Sequence, residues 1–212
     1  MDLHQIIRAR KTEKILAPDS ITNEVPADLR EQKKALILEG LATAGWAPFH
    51  YPRDIEKIAE PWRAHILWDE KAHQTASYLK NELKLVTKEP ALTQACHCLV
   101  LATWIPESEI WSNPETPIRP EVLARDEEHL AASSAMVQNF LLTLTAAGLG
   151  NYWSSGGKFR SPEVLAHLGV PSHERLLAAI FIEYPELKND ACERKAGAHR
   201  DKRSTDWIRE IS

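Results

Sequence analysis

Long apolar runs are missing from this 212-residue chain. The longest, Leu176 to Ile182 (LLAAIFI), falls far short of the roughly 20 residues that a helix needs to cross a bilayer, so no membrane span is expected. The opening MDLHQIIRARKTEK has an acid at position 2 and no apolar core or cleavage pattern of a secretory signal, which points to a cytoplasmic setting. Cysteine is scarce: Cys96, Cys98 and Cys192 make an odd number, so reduced thiols are expected rather than a disulfide framework. Neither sign of charge dominates, with 26 basic against 30 acidic side chains and a net charge of −4. That excludes a whole-molecule field for nucleic acid and makes any basic site local. Low-complexity tracts are absent too, and 43% apolar residues against 26% charged suffice for a single compact domain over 1–212.

The patterns present predict an irregular alternation of helices and strands. Leu3, Ile6 and Ile7 recur at helical spacing ahead of Arg8, Arg10, Lys11 and Lys14, which predicts a short amphipathic helix ending in positive charge, broken at Pro18, Asp19 and Ser20. A second helix spans 27–46 and stops near Gly45; 47–54, with two prolines, is a loop; 64–68 is a strand. The spacing of Ala72, Ala76, Leu79, Leu83 and Val86 predicts one peripheral helix over 70–89. Residues 97–104 read as a buried strand, and Cys96-His97-Cys98 at its start lacks a second ligand pair at zinc-type spacing, so no metal is expected. Four prolines make 105–120 an excursion of the kind that often serves as a lid. The longest helix covers 121–147 and stops at Gly148 or Gly150. A short strand from Asn151 then enters a glycine turn, a small helix opens at Ser161-Pro162, and 176–184 is the clearest strand. No GxGxxG or GxxxxGK[ST] follows a strand, so the expectation is an α+β domain with helices around a small sheet.

Four groups of residues could carry chemistry. Arg10, Lys11, Thr12 and Lys14 suit a phosphate monoester, which takes guanidinium forks and short donors together; they equally suit a solvated helix end. Trp46-Ala47-Pro48-Phe49-His50, with Glu60-Pro61-Trp62-Arg63 beyond it, offers polar edges beside flat apolar faces fit for a planar heterocycle, or else two core tryptophans and a surface histidine. Gly148 to Gly157 (GLGNYWSSGG) allows close backbone approach and supplies amide and serine donors to a ring, or simply stops a helix. The tail His199-Arg200-Asp201-Lys202-Arg203 could close over the same phosphate as Arg10, or stay solvated.

In this order the segments resemble the nitroreductase-like family of FMN-dependent oxidoreductases, in its compact YdjA-type branch, from Ile6 to Tyr184. Ile7 to Lys14 (IRARKTEK) is similar to the family's opening R-[RK]-[ST]-x-[RK] run, and the resemblance implies that Arg10, Lys11, Thr12 and Lys14 hold the FMN phosphate and ribityl chain. The WAPFH loop and the EPWR motif resemble the branch's WAPNH and Q/E-P-W-R, which implies that His50 and Glu60 touch a flavin held mainly by the other subunit of an intertwined homodimer. GLGNYWSSG looks like the stretch that lies along the isoalloxazine ring, placing Trp153, Ser154, Ser155 and Gly156 there. Arg200, Lys202 and Arg203 are carried over as phosphate-site candidates, and Lys14 as the cation that stabilises the reduced ring. Three departures stand out: Phe49 replaces asparagine, the 51–59 insertion lengthens the spacing to Glu60, and Ser154 stands where a basic residue is common.

The implied activity is transfer of hydride from NADH or NADPH through FMN to a nitroaromatic, a quinone or a similar conjugated acceptor. Two alternatives stay open: an FMN-binding protein in which the insertion blocks the nicotinamide, and a non-enzymatic interaction module whose basic segments, including the 186–212 tail, bind acidic partners.

Overall fold

A computed structural model describes residues 2–18, 24–111, 113–199 and 202–211. Its centre is a four-stranded, wholly antiparallel sheet in the order β2 (Trp62–Trp68), β3 (Cys98–Trp104), β5 (Arg175–Glu183), β4 (Gly150–Ser154). Every residue of β3 is buried because the sheet is covered on both faces. With the two-residue period of a strand, Cys98, Val100 and Ala102 point into one core with Ile37, Met136 and Phe140, whereas Leu99 and Leu101 point into a second with Ala72, Leu92, Phe159 and Val164.

The first core is closed by α2 (Ala27–Ala44) and α5 (Pro120–Ala146). Their close approach depends on Gly40: a Cβ there would stand 2.9 Å from Thr143 Oγ1. The α2 helix ends where Gly45 N–H bonds Leu41 O, and α5 opens on a first-turn proline, which needs no amide partner. The second core is closed by α3 (Asp69–Ser77), α4 (Glu89–Ala95) and α6 (Pro162–His167), the last capped by Ser161 Oγ accepting from Val164 N–H.

The structure bears out the α+β expectation and the strands within a residue or two at most boundaries, with three corrections. The expected helix over 70–89 is interrupted: α3 passes into a π turn (Tyr78–Glu82) in which Leu83 N–H bonds Tyr78 O, Lys84 takes a left-handed φ of 52°, and Pro90 restarts the chain as α4. The first helix, α1 (Leu3–Ala9), stops before most of the basic run, and Glu13–Leu16 is a strand, β1. The tail contains its partner, β6 (Glu193–Ala196), in a separate two-stranded antiparallel ribbon. Asp19 and Ser20, expected as breakers, lie outside the described residues. No described helix is long and apolar enough to cross a membrane.

The Cys96-His97-Cys98 segment is core. Burial raises the Cys96 thiol to about 12 and the Cys98 thiol well above its ordinary value, and the described residues contain no group of three or more metal-ligating side chains. His97 is 1% exposed; its Nδ1 accepts from Tyr184 N–H at 3.1 Å, which puts the proton on Nε2. Burial, with a further push from His73, lowers His97 to about 4 from 6.5. The unfolded chain therefore takes up a proton near pH 6.5 that the folded chain refuses until about pH 4, so stability is fully present above 6.5 and declines as pH falls through that window. Urea midpoints between pH 7 and 4 are expected to fall in the wild type and to flatten in His97→Asn, which retains an acceptor but cannot titrate.

Candidate functional site

The candidate site begins at the β1–β6 ribbon. Arg194 on β6 bonds Glu13 on β1 at 3.2 Å and forks onto the carboxylate of Glu183 at the end of β5, so one guanidinium ties ribbon to sheet. Glu183 and Glu13 raise the Arg194 pKa; burial pushes Glu13 up, but Lys11 and Arg194 outweigh it and its carboxyl ends lower. The register pairs Lys14 directly with Lys195, which places two ammonium groups on one face of the ribbon. Like charges opposed across strands are destabilising, and Glu193 answers one of them at 2.9 Å from Lys195 Nζ. Lys14 also sits 5.6 Å from the ring centroid of Tyr152 on β4.

This face forms one wall of a cleft of about 560 Å³, in which Arg10, Lys14, Lys195, His199 and Arg203 converge with the Thr12 hydroxyl. A second lobe of about 560 Å³ shares Arg10, Thr12, Trp153 and Arg203, and is walled by Ile7, Leu141 and Leu177 with Ser155 at its edge. No carboxylate is among the described residues lining either lobe. Arg10 donates to Lys11 O at 3.0 Å and to Thr12 Oγ1 at 3.2 Å, so the guanidinium and the hydroxyl are already associated. The floor is β4, an edge strand that pairs with β5 alone.

Beyond β4 the chain turns sharply. Gly156 has φ 103° and Gly157 has φ 50°; a Cβ on Gly156 would lie 2.5 Å from Leu176 Cδ2, and one on Gly157 would lie 1.8 Å from Glu89 Oε1. Only glycine serves at this turn. Ser154 Oγ accepts from Gly156 N–H at 3.3 Å, and Ser155 O accepts from Arg160 Nε at 2.5 Å, so the turn is braced from both sides.

Of the residues expected from sequence, Arg10, Thr12, Lys14, Trp153, Ser155 and Arg203 come together in this two-lobed cleft. Lys11 turns to the other side of the strand, pairs with Glu13 at 3.1 Å and borders a different hollow. Ser154 and Gly156 form the adjoining turn, Lys202 does not line the cleft, and Arg200 lies outside the described residues. His199, from the tail expected to close over the phosphate, and Tyr152, from the glycine-rich segment, line the cleft as well, and with them stands Lys195, which no motif marks. A short polar segment gives no local sign that it pairs with β1.

His50 and Glu60 stand elsewhere in the same chain. His50 Nδ1 lies 3.3 Å from Glu128 Oε2, whereas the cleft meets α5 at Gln138 and Leu141; ten helical residues separate them by about 15 Å. The loop that carries His50 is anchored by Phe49, edge-on to Trp62 at 5.5 Å. Glu60 lies two residues before β2, its carbonyl accepting from Arg63 at 2.8 Å. The 51–59 insertion is held firmly: Arg53 donates to Ile105 O at 2.9 Å and Pro106 O at 2.7 Å, and Arg63 donates to Ile55 O at 3.0 Å. The buried Asp126 carboxylate in turn accepts from the amides of Glu107 and Ser108 and from Trp111 Nε1, which fixes the start of the Pro-rich excursion to α5.

The α+β fold thus presents a covered antiparallel sheet whose edge strand floors a cleft, cationic at one end and apolar-walled at the other. The residues fit FMN on these grounds, since the donor set suits its phosphate and the apolar lobe its ring. Comparison with known proteins agrees: residues 7–182 match the model of the Nitroreductase family, and the chain belongs to that family. YfhC of Bacillus subtilis (strain 168), whose name proposes an NAD(P)H nitroreductase, is 28% identical over 163 residues, covering 72% of this chain and 74% of YfhC. Among solved structures, a nitroreductase-like family protein from Bacillus cereus superposes with a TM-score of 0.58 at 22% identity over 96% of this chain and 95% of the other. A Bacteroides fragilis nitroreductase with bound FMN superposes with a TM-score of 0.58 at 18% identity over the whole of both chains.

Proposed function

We propose that this chain is an FMN-dependent oxidoreductase of the nitroreductase type that takes hydride from NADH or NADPH and works as a homodimer with composite sites. The observation that carries the reading is the two-lobed cleft on the β4 edge, with its convergent cations and no lining carboxylate. The FMN bound to the Bacteroides fragilis relative and the name of the YfhC relative support it.

In this reading Arg10, Thr12, Lys195 and Arg203 hold the phosphate, Trp153, Ser155 and the Gly156 turn border the ring, and Lys14 supplies positive charge beside it. Bound FMN supplies two-electron chemistry between the pyridine nucleotide and a nitroaromatic, quinone or similar conjugated acceptor. The protein contributes orientation, a fixed cation where negative charge develops, and apolar walls that keep water out.

The homodimer reading rests on where His50 and Glu60 lie. The outer face of α5 carries the small Ala131 and Ser134 between Leu130 and Gln138, which lets another helix approach closely there, and Leu38 and Trp46 (89% exposed) on and beside α2 extend an apolar surface. Two copies packed with α5 antiparallel bring the Glu128 end of one, with its His50, toward the Gln138 end of the other, where the cleft lies.

Lys14→Met tests the electrostatic role. Anaerobic flavin reduction is expected to slow by roughly tenfold or more, as for loss of one preorganised charge contact, with FMN affinity changed much less. An unchanged reduction rate removes Lys14 from the reaction.

A further inference from the structure

The two faces of the β1–β6 ribbon are built differently. Lys14 and Lys195, opposed in register, line the cleft. By the two-residue period of a strand, Arg194 and its register partner Ile15 belong to the other face. There Ile15 packs with Ala17, Ala95 and Cys192, and the Arg194 guanidinium reaches Glu13 on β1 and Glu183 on β5 together. Arg194 itself lines neither lobe of the cleft. No residue of β6 is buried and β1 is its sole strand partner, so burial does little to hold it, and a two-stranded ribbon is marginal in water. What β6 carries matters to the cleft nonetheless. Gly197 N–H bonds Thr12 O at 2.9 Å, which keeps the chain against β1 as it runs on to His199, and both His199 and Arg203 line the cationic lobe. The grip of Arg194 on the sheet also has room made for it. Gly150 pairs with Glu183 in the β4–β5 ladder, and a Cβ on Gly150 would stand 3.2 Å from Glu183 Oε2, the oxygen that accepts from Arg194 Nη1 at 3.1 Å.

We propose that Arg194 is a positioning residue for the phosphate end of the cleft: from behind the ribbon it latches the C-terminal segment so that Lys195, His199 and Arg203 face the ligand. An anion held in front relieves the opposed Lys14 and Lys195 charges while Arg194 holds the strand from the back. Latch and ligand therefore strengthen each other, and by linkage each returns to the other the same free energy. This role rests on the reading of the cleft as the FMN site, and it explains why a glycine stands at position 150.

The test is a double-mutant cycle on FMN affinity, followed by flavin fluorescence, over the wild type, Arg194→Gln, Lys195→Met and the two combined. Arg194→Gln is expected to weaken FMN binding by roughly tenfold or more, the scale of a lost charge-assisted contact, although its side chain lines neither lobe. Lys195→Met is expected to cost about as much in the wild type and little in Arg194→Gln, because an unlatched strand no longer presents Lys195. Arg194→Lys, which keeps the charge without the fork, is expected to recover part of the affinity. A residue that only stabilises the fold leaves the Lys195 contribution intact, so losses that add overturn the proposal, as does an Arg194→Gln protein that binds FMN like the wild type. Linkage supplies a second readout: FMN is expected to slow the release of the C-terminal peptide by trypsin in the wild type and not in Arg194→Gln, and a wild type without that protection overturns the latch. Arg194→Gln leaves Glu13 and Glu183 without their shared cation; if it does not fold, Gly150→Ala takes its place in the cycle, crowding the Glu183 carboxylate without changing a charge. A wild type that binds no FMN loses the flavin reading, and the cycle is then run by calorimetry with inorganic phosphate. Non-additive losses there keep the latch, whereas additive losses or no phosphate binding overturn it.

Discussion

Arg10→Ala is expected to weaken FMN binding by roughly 10- to 100-fold, the cost of hydrogen bonds to a charged partner, while Lys11→Ala next to it leaves affinity near that of the wild type. Sequence alone puts both residues in the phosphate run; the structure separates them. The Arg10 fork faces the cleft beside Thr12, and Lys11 points to the opposite side and pairs with Glu13. Titration of apoprotein with FMN, followed by flavin fluorescence, measures the contrast directly. Arg10→Lys is expected to fall between, because it restores a charge without a planar fork. Affinities should also decline with added salt, since the contact is ionic. Equal losses from Arg10→Ala and Lys11→Ala would show that the phosphate does not sit where the cations converge.

Gly156→Ala is expected to destabilise the protein by about 3 kcal/mol and to lower FMN affinity with it. Two independent effects add here: a backbone angle that side chains rarely adopt, at about 1–3 kcal/mol, and overpacking at about 1–3 kcal/mol. The angle is φ 103°, and the new Cβ would meet the buried Leu176 side chain at 2.5 Å. Gly148→Ala is the control, since its φ is also positive at 74° but nothing lies within 4 Å of its Cβ position. Thermal unfolding of the two variants separates the effects: angle alone for Gly148, angle plus clash for Gly156. A Gly156→Ala midpoint no lower than that of Gly148→Ala would mean that Leu176 moves aside at no cost and that the turn is not tightly packed.

Much of this fold is legible in the chain because the relevant signals are local. Strands β3 and β5 are continuous apolar runs, and α5 has a long helical period with a proline at its first turn and glycines after its last. The interrupted helix after Asp69 is a harder case, since its apolar positions are real. What breaks the period is the left-handed Lys84, which is not glycine and so carries no mark, and Pro90, which reads as a helix start once the break is known. The ribbon β1–β6 is invisible for a different reason. Each strand has only four residues, none of them buried, half polar in β1 and mostly polar in β6, and its partner lies some 180 positions away. Its stability comes from the pairing itself and from Arg194 bridging Glu13 and Glu183. Lys195 is therefore missed, while Lys14, across the strand from it, is found through a motif. His50 and Glu60 present the opposite situation: the motif marks them, yet the same-chain cleft does not contain them, which is the arrangement the proposed composite site between subunits would leave in one chain.

The central claim is most directly tested by the visible spectrum of the purified protein, saturated with FMN, desalted, and given NADH or NADPH without oxygen. Retained flavin that bleaches on addition of either nucleotide is the predicted result, and the faster nucleotide identifies the donor. Flavin retained but still oxidised would contradict the oxidoreductase reading and leave an FMN-binding protein whose Arg53-tethered insertion bars the nicotinamide; a protein that holds no flavin at all would contradict the assignment of the cleft itself.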